Sequence, residues 1–79
     1  MNKKASSFVT TLDLSLAEKL RNDLESQGFS FSQPPHSVFS AKKKGISCTL
    51  FQSGKLLVQG KEMGSFIEYY LEPELLKDF

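Results

Sequence analysis

The sequence is short of most residues that carry catalysis, cross-linking or membrane insertion. It has one cysteine, Cys48, one histidine, His36, and no tryptophan. A lone cysteine cannot close an internal disulfide, which fits a reducing compartment and a cytoplasmic location. With one histidine, a histidine-rich metal site is hard to assemble. No Ser-His-acid set, P-loop or GxGxxG run is found. No apolar run approaches the roughly 18 residues of a membrane span, so no membrane partner is expected. The opening MNKKASS is charged but leads into no unbroken apolar segment, which makes it a poor signal peptide. An excess of one charge is missing too, because ten Lys and Arg face nine Asp and Glu, for a net charge of +1. No overall field draws the chain onto a polyanion, and any nucleic-acid affinity has to come from local clusters of lysine.

What is present is the composition of a soluble globular protein, 39% hydrophobic and 24% charged in 79 residues. That length suits a single domain with a limited core and little room for a deep catalytic pocket. Residues 1–5 read as a flexible tail, and 6–79 as the domain.

SSFVTTL (6–12) is a β-branched run and predicts a strand. Ser15 and Glu18 have the spacing of a capping box, and Leu16, Ala17, Leu20 and Leu24 follow at helical intervals. Gly28 is placed to end that helix. FSFSQPP reads as a connector, since Pro34 and Pro35 exclude a helix. HSVFSAK (36–42), ISCTLFQ (46–52) and KLLVQ (55–59) predict three strands joined by turns at Lys43–Gly45 and Ser53–Gly54. Residues 61–77 predict a last helix, with Phe66, Ile67, Tyr70 and Leu71 at helical spacing and Pro73 interrupting or ending it. The order β-α-β-β-β-α implies an α+β fold, an antiparallel sheet with helices on one face.

Alternation then divides the sheet into two faces. Ile46, Cys48, Leu50, Leu56 and Val58, joined by Phe39, Ala41, Phe8, Thr10 and Leu12, form the side for the helices to cover. The other side carries Ser7, Val9, Thr11, His36, Val38, Ser40, Lys42, Ser47, Thr49, Phe51, Lys55, Leu57 and Gln59. No element is left to cover it, and an open apolar patch marks an interaction site. Aromatic and aliphatic side chains stack on or wedge between bases while lysines pair with phosphates. Lys42, Lys43, Lys44, Lys55 and Lys61 are close enough in sequence to ring such a surface, and Phe51 is the clearest exposed aromatic. Plainer roles compete. Phe51 serves equally well beneath a loop or in a dimer contact, Lys42–Lys44 as a solvated hairpin tip, His36 as an ordinary strand residue, and Cys48 as an inert buried thiol. The acids lie in or beside the helices and at the tail, outside the three alternating strands, so an enzyme contained in these residues is not expected.

TLFQSGKLLVQGK (49–61), with PPHSVFSAK before it and FIEYYLEPELL after it, resembles the N-terminal domain of bacterial ribonuclease HIII, from about Phe8 to Leu76. That domain is similar to one half of the TATA-box-binding protein, which carries a related aromatic-x-S-G-K turn and grips a minor groove with its sheet. The resemblance implies a wedge role for Phe51 and groove-facing positions for Thr49, Leu57 and Gln59. Ser40 stands where both families often carry arginine, a departure that leaves Lys42 to replace one phosphate contact. It further implies an RNA–DNA hybrid, or another duplex, as partner. The chain would be a substrate-binding domain excised from a larger endonuclease, whose covalently attached catalytic domain uses Mg or Mn. No cofactor is implied for this chain itself. The nucleic-acid contacts expected are Phe51, Lys55, Lys42, Thr49, Leu57, Gln59, Val9, Val38, Ser40 and Lys43. The rival reading is a protein-interaction module that uses the same face, for instance in a weak homodimer.

Overall fold

A computed structural model describes residues 7–76. The expected tail at 1–5 and the last predicted helical residue lie outside that range. Strand β1 spans Ser7–Thr11. A 3-10 turn at Leu14–Leu16 leads into helix α1, Ala17–Ser26. Strands β2 (Ser30–Ser32), β3 (Ser37–Lys43), β4 (Ile46–Phe51) and β5 (Lys55–Gln59) follow. Helix α2 opens as a regular turn at Met63–Phe66 and continues as a wider π-type coil through Ile67–Leu76. The strands form one antiparallel sheet in the order β1-β5-β4-β3-β2. The α+β architecture matches the expectation, with one added strand.

That added strand is β2. Its three residues, SFS, sit in the expected connector and pair Ser30 with Lys42, Phe31 with Ala41 and Ser32 with Ser40. Phe31 meets Phe39 edge-on with ring centroids 5.4 Å apart, which holds the strand to the sheet margin. Gln33 and the prolines stop it, since Pro supplies no ladder donor.

The entry to α1 differs from the capping box. Asp13, not Ser15, supplies the cap: its carboxylate accepts the Ser15 N–H at 3.0 Å, which holds the Asp13 pKa below its usual value. The exit is as expected. The Gly28 N–H reaches the Glu25 carbonyl and the Phe29 N–H the Leu24 carbonyl, each at 3.1 Å, the paired bonds of a Schellman ending.

In α2 the buried positions Phe66, Leu71 and Leu75 are spaced by five and then four residues, as a wide coil requires. Pro73 lies inside this coil rather than ending it. Its ring has no N–H and crowds the carbonyl a turn earlier in a regular helix; a wider turn relieves that conflict.

The core lies between the sheet and the helices. Leu20 and Leu24 of α1 and Phe66, Leu71 and Leu75 of α2 close over Phe39, Ala41, Ile46, Cys48, Leu50, Leu56 and Val58. Phe8 packs partly buried at its margin.

Candidate nucleic-acid interface on the open sheet face

Residues paired across antiparallel strands share a face, so the register assembles the second side of the sheet row by row. One row runs Val9, Leu57, Thr49, Ser40, Ser32 across all five strands. A neighbouring row runs Ser7, Gln59, Ser47, Lys42, Ser30. Towards the other end, Thr11 pairs with Lys55 and Ser37 with Phe51. Both helices bury their apolar residues on the opposite side. Val9 stays 54% exposed, and Leu57 and Phe51 are half-buried outside the core cluster. Lys42, Lys55 and Gln59 are exposed at the ends of their strands. At the centre, the Ser40 and Thr49 hydroxyls hydrogen-bond to each other at 3.0 Å, and Ser40 is buried beneath that bond.

The turns at the two ends of this face explain both glycines of FQSGKLLVQGK. Gly54 has a φ of 97°, its carbonyl accepts the Leu12 N–H at 2.7 Å, and a Cβ there would stand 2.9 Å from the Leu12 carbonyl oxygen. Only glycine lets the β4–β5 turn close against the end of β1. Gly60 has a φ of 118°, and a Cβ on it would strike the Gly45 carbonyl and come within 2.8 Å of the Ile46 Cα. These glycines bring β1 and the β3–β4 hairpin into contact with the strands that bear Phe51 and Gln59.

Two expected contacts do not belong to this face. A bulge separates Ser37, paired with Phe51, from Phe39, paired with Leu50. The extra residue is Val38, which turns to the helix side and lines a recess with Ala17, Arg21 and Phe31. The same shift brings Ser37 beside Phe51, where its hydroxyl donates to the Pro34 carbonyl at 2.6 Å. His36 is a turn residue with a φ of 66° rather than part of the strand. Lys43 pairs with Ile46 and also points to the helix side; its ammonium donates to the Gln27 carbonyl at 2.9 Å and lies 5.3 Å from the Phe29 ring centroid. Alternation places Lys43 opposite Lys42, so proximity in sequence was misleading. Ser30 and Ser32 join the face through β2, and only the S-F-S alternation hinted at them.

Beneath the sheet, Cys48 is fully buried, and burial pushes its thiol up to about 12, which keeps it protonated and unreactive. Among the described residues no group of three or more His, Cys, Asp or Glu side chains converges on a possible metal site. No helix among the described residues is long and apolar enough to cross a membrane.

An antiparallel five-stranded platform, helices on one side and a mixed apolar, hydroxyl and lysine surface on the other, defines an α+β sheet-platform domain. Residues 7–78 match the family described as a domain of unknown function, DUF3378, and the chain belongs to that family. It is homologous to the N-terminal region of ribonuclease HIII. The ribonuclease HIII of Protochlamydia amoebophila is 65% identical over 72 residues, which span 91% of this chain and 24% of that protein. That of Chlamydia abortus is 53% identical over 72 residues, again 91% of this chain and 24% of the relative. The chain thus spans about a quarter of the length of the curated relatives it matches. Among solved structures, Aquifex aeolicus RNase H3 superposes with a TM-score of 0.73 at 28% identity, covering 82% of this chain and 26% of that one. Bst-RNase HIII in complex with Mn2+ gives a TM-score of 0.65 at 27% identity, covering 82% and 21%.

Proposed function

We propose that the open sheet face is a nucleic-acid-binding surface, and that it docks on the minor groove of an RNA–DNA hybrid. A separate catalytic domain of the parent ribonuclease would cut the RNA strand. The observation that carries this reading is the grouping of Val9, Leu57 and Phe51, outside the core, with Thr49, Gln59, Lys42 and Lys55 on one uncovered side. Hybrid duplexes approach the A form, whose wide, shallow minor groove accepts a broad surface. Phe51, at the end of β4, is placed to wedge or stack, Val9 and Leu57 to pack against sugars, and Lys42 and Lys55 to meet phosphates. Ser40 and Thr49 offer hydroxyls already linked to each other. Lys42 and Lys55 flank the face from opposite ends of their strands, an arrangement that suits the two backbones of a duplex.

In this reading catalysis belongs to that separate domain. The metal in the Bst-RNase HIII structure belongs to that protein, and the described residues here offer no donor set that fits one. The domain contributes binding, which raises the local concentration of substrate for a tethered catalytic unit. The test is a chemical-shift titration of the chain with a short RNA–DNA hybrid. Saturable changes at Val9, Thr49, Phe51, Leu57 and Gln59, weakening linearly in log salt, are expected. Changes confined to the helices would sink the reading. Concentration-dependent changes on the open face without nucleic acid would favour a homodimer instead.

A further inference from the structure

The β3 bulge falls opposite Phe51. Phe39 pairs with Leu50, so an unbroken register would set Val38 against Phe51; Ser37 takes that place instead. A bulge gives up one regular step of the ladder and re-aims a side chain, and bulges concentrate beside functional sites. Here the exchange removes a β-branched valine from the side of the aromatic ring and puts a serine there, with the two Cβ atoms about 5 Å apart.

Ser37 is only 1% exposed, although it lies on the side of the sheet away from the helices. At that end of the face the groups placed to cover it are Phe51 and the turn Pro34–His36. The turn is tied to the serine, because the Pro34 carbonyl accepts the Ser37 hydroxyl at 2.6 Å and the Ser37 N–H at 3.2 Å. His36 holds a φ of 66° within it, and the His36 carbonyl accepts the Gln52 N–H at 3.1 Å. From the β4–β5 turn, the Gly54 N–H donates to the Phe51 carbonyl at 2.9 Å. Both polar groups of the Phe51–Gln52 peptide are therefore held, one by each turn.

We propose that Ser37 is a positioning residue for Phe51, which pre-sets the ring for contact with the nucleic acid. The proposal rests on the reading of the open face as the nucleic-acid surface. A ring that is already held loses less freedom on binding, so the tie shows up as affinity. Serine suits the place: it leaves room beside the ring and supplies the hydroxyl for Pro34. Valine offers more bulk and no hydroxyl.

The test is a double-mutant cycle on affinity for a short RNA–DNA hybrid, with the melting temperature of each variant measured alongside. Phe51→Ala is expected to weaken binding about fivefold or more, and Ser37→Ala about two- to tenfold. In the Phe51→Ala background, Ser37→Ala should then change the affinity no further. A second measurement needs no variant: nuclear Overhauser contacts between the Phe51 ring and the Ser37 Cβ protons are expected in the free chain. Parental affinity in Ser37→Ala, an equal loss in both backgrounds, or a free chain without those contacts would overturn the proposal. Undiminished binding by Phe51→Ala would remove the wedge itself and the proposal with it, a failure that the first arm shows on its own.

Discussion

On strand β4, Ile46, Cys48 and Leu50 are buried beneath the helices, while Ser47, Thr49 and Phe51, alternating with them, keep part of their surface in water. The same contrast runs along β5, where Leu56 and Val58 are buried and Lys55, Leu57 and Gln59 are not. The covered face is fixed by what the fold needs, since each of its side chains fills space between sheet and helix. The open face is under no such demand. Its apolar residues add little to a core they do not touch, and for that reason they are informative about binding.

The sharpest way to break this contrast is a pair of truncations on neighbouring strands. Leu50→Ala should cost about 2–5 kcal/mol through the cavity it leaves, whereas Leu57→Ala should cost less than about 1 kcal/mol and instead weaken hybrid binding. Denaturant melts of both variants check this; equal losses would make the two faces one core. Gly60→Ala, at the contact between two turns, should cost about 1–3 kcal/mol from backbone strain alone, more if the Gly45 carbonyl cannot move. A melting temperature within error of the parent would show the turns to be adaptable.

Phe51→Ala should remove about 1–3 kcal/mol of hybrid affinity, the usual worth of one stacking side chain, with the melting temperature little changed. A large fall in melting temperature would place Phe51 with the core. The smallest effect is expected on the covered side, at Tyr70→Phe, which deletes the hydroxyl bonded to Asp23 at a cost of about 1 kcal/mol. That bond, before the Lys19 contact, holds the Asp23 pKa below its usual value, while burial and then Asp23 push Tyr70 up. The depressed carboxylate contributes stability above its unfolded pKa, lost as pH falls through the folded value. The raised phenol contributes below about 10, lost as pH climbs beyond it. Urea melts across acid and alkaline pH should therefore show a flatter stability profile for the variant at both extremes.

The covered face was legible because period-two alternation in ISCTLF and KLLVQ survives directly into structure. The open face was legible by subtraction, and two of the contacts expected on it, Val38 and Lys43, were misplaced, while His36 lies in the turn before β3. Nothing in HSVFSAK announces the bulge at Val38; strand pairing across the sheet decides it, and no local pattern encodes pairing. Lys43 misled through the opposite fault, since it does alternate with Lys42 and was grouped by proximity instead. Strand β2 was hidden by its three-residue length and the prolines after it. The π-type coil of α2 keeps enough of a helical hydrophobic spacing to read as a helix, but its wider turn follows from Pro73 in tertiary context. The glycines of FQSGK and VQGK looked like turn residues, whereas their closest neighbours, Leu12 and Gly45, lie far off in sequence.

The place of β1 at the sheet margin next to β5 has a consequence for how the domain comes into being. The β3–β4–β5 meander can zip from its own short turns, because each strand finds its partner within a few residues. The N-terminal strand has no ladder to join until Lys55–Gln59 have been added to the growing chain, since Ser7–Thr11 pair with those residues. During synthesis its β-branched run waits unpaired while nearly the whole domain emerges. Closing so long a loop is slow relative to hairpin formation. Docking of the first strand made therefore waits on the meander, and it is sealed where the Leu12 amide meets the Gly54 carbonyl.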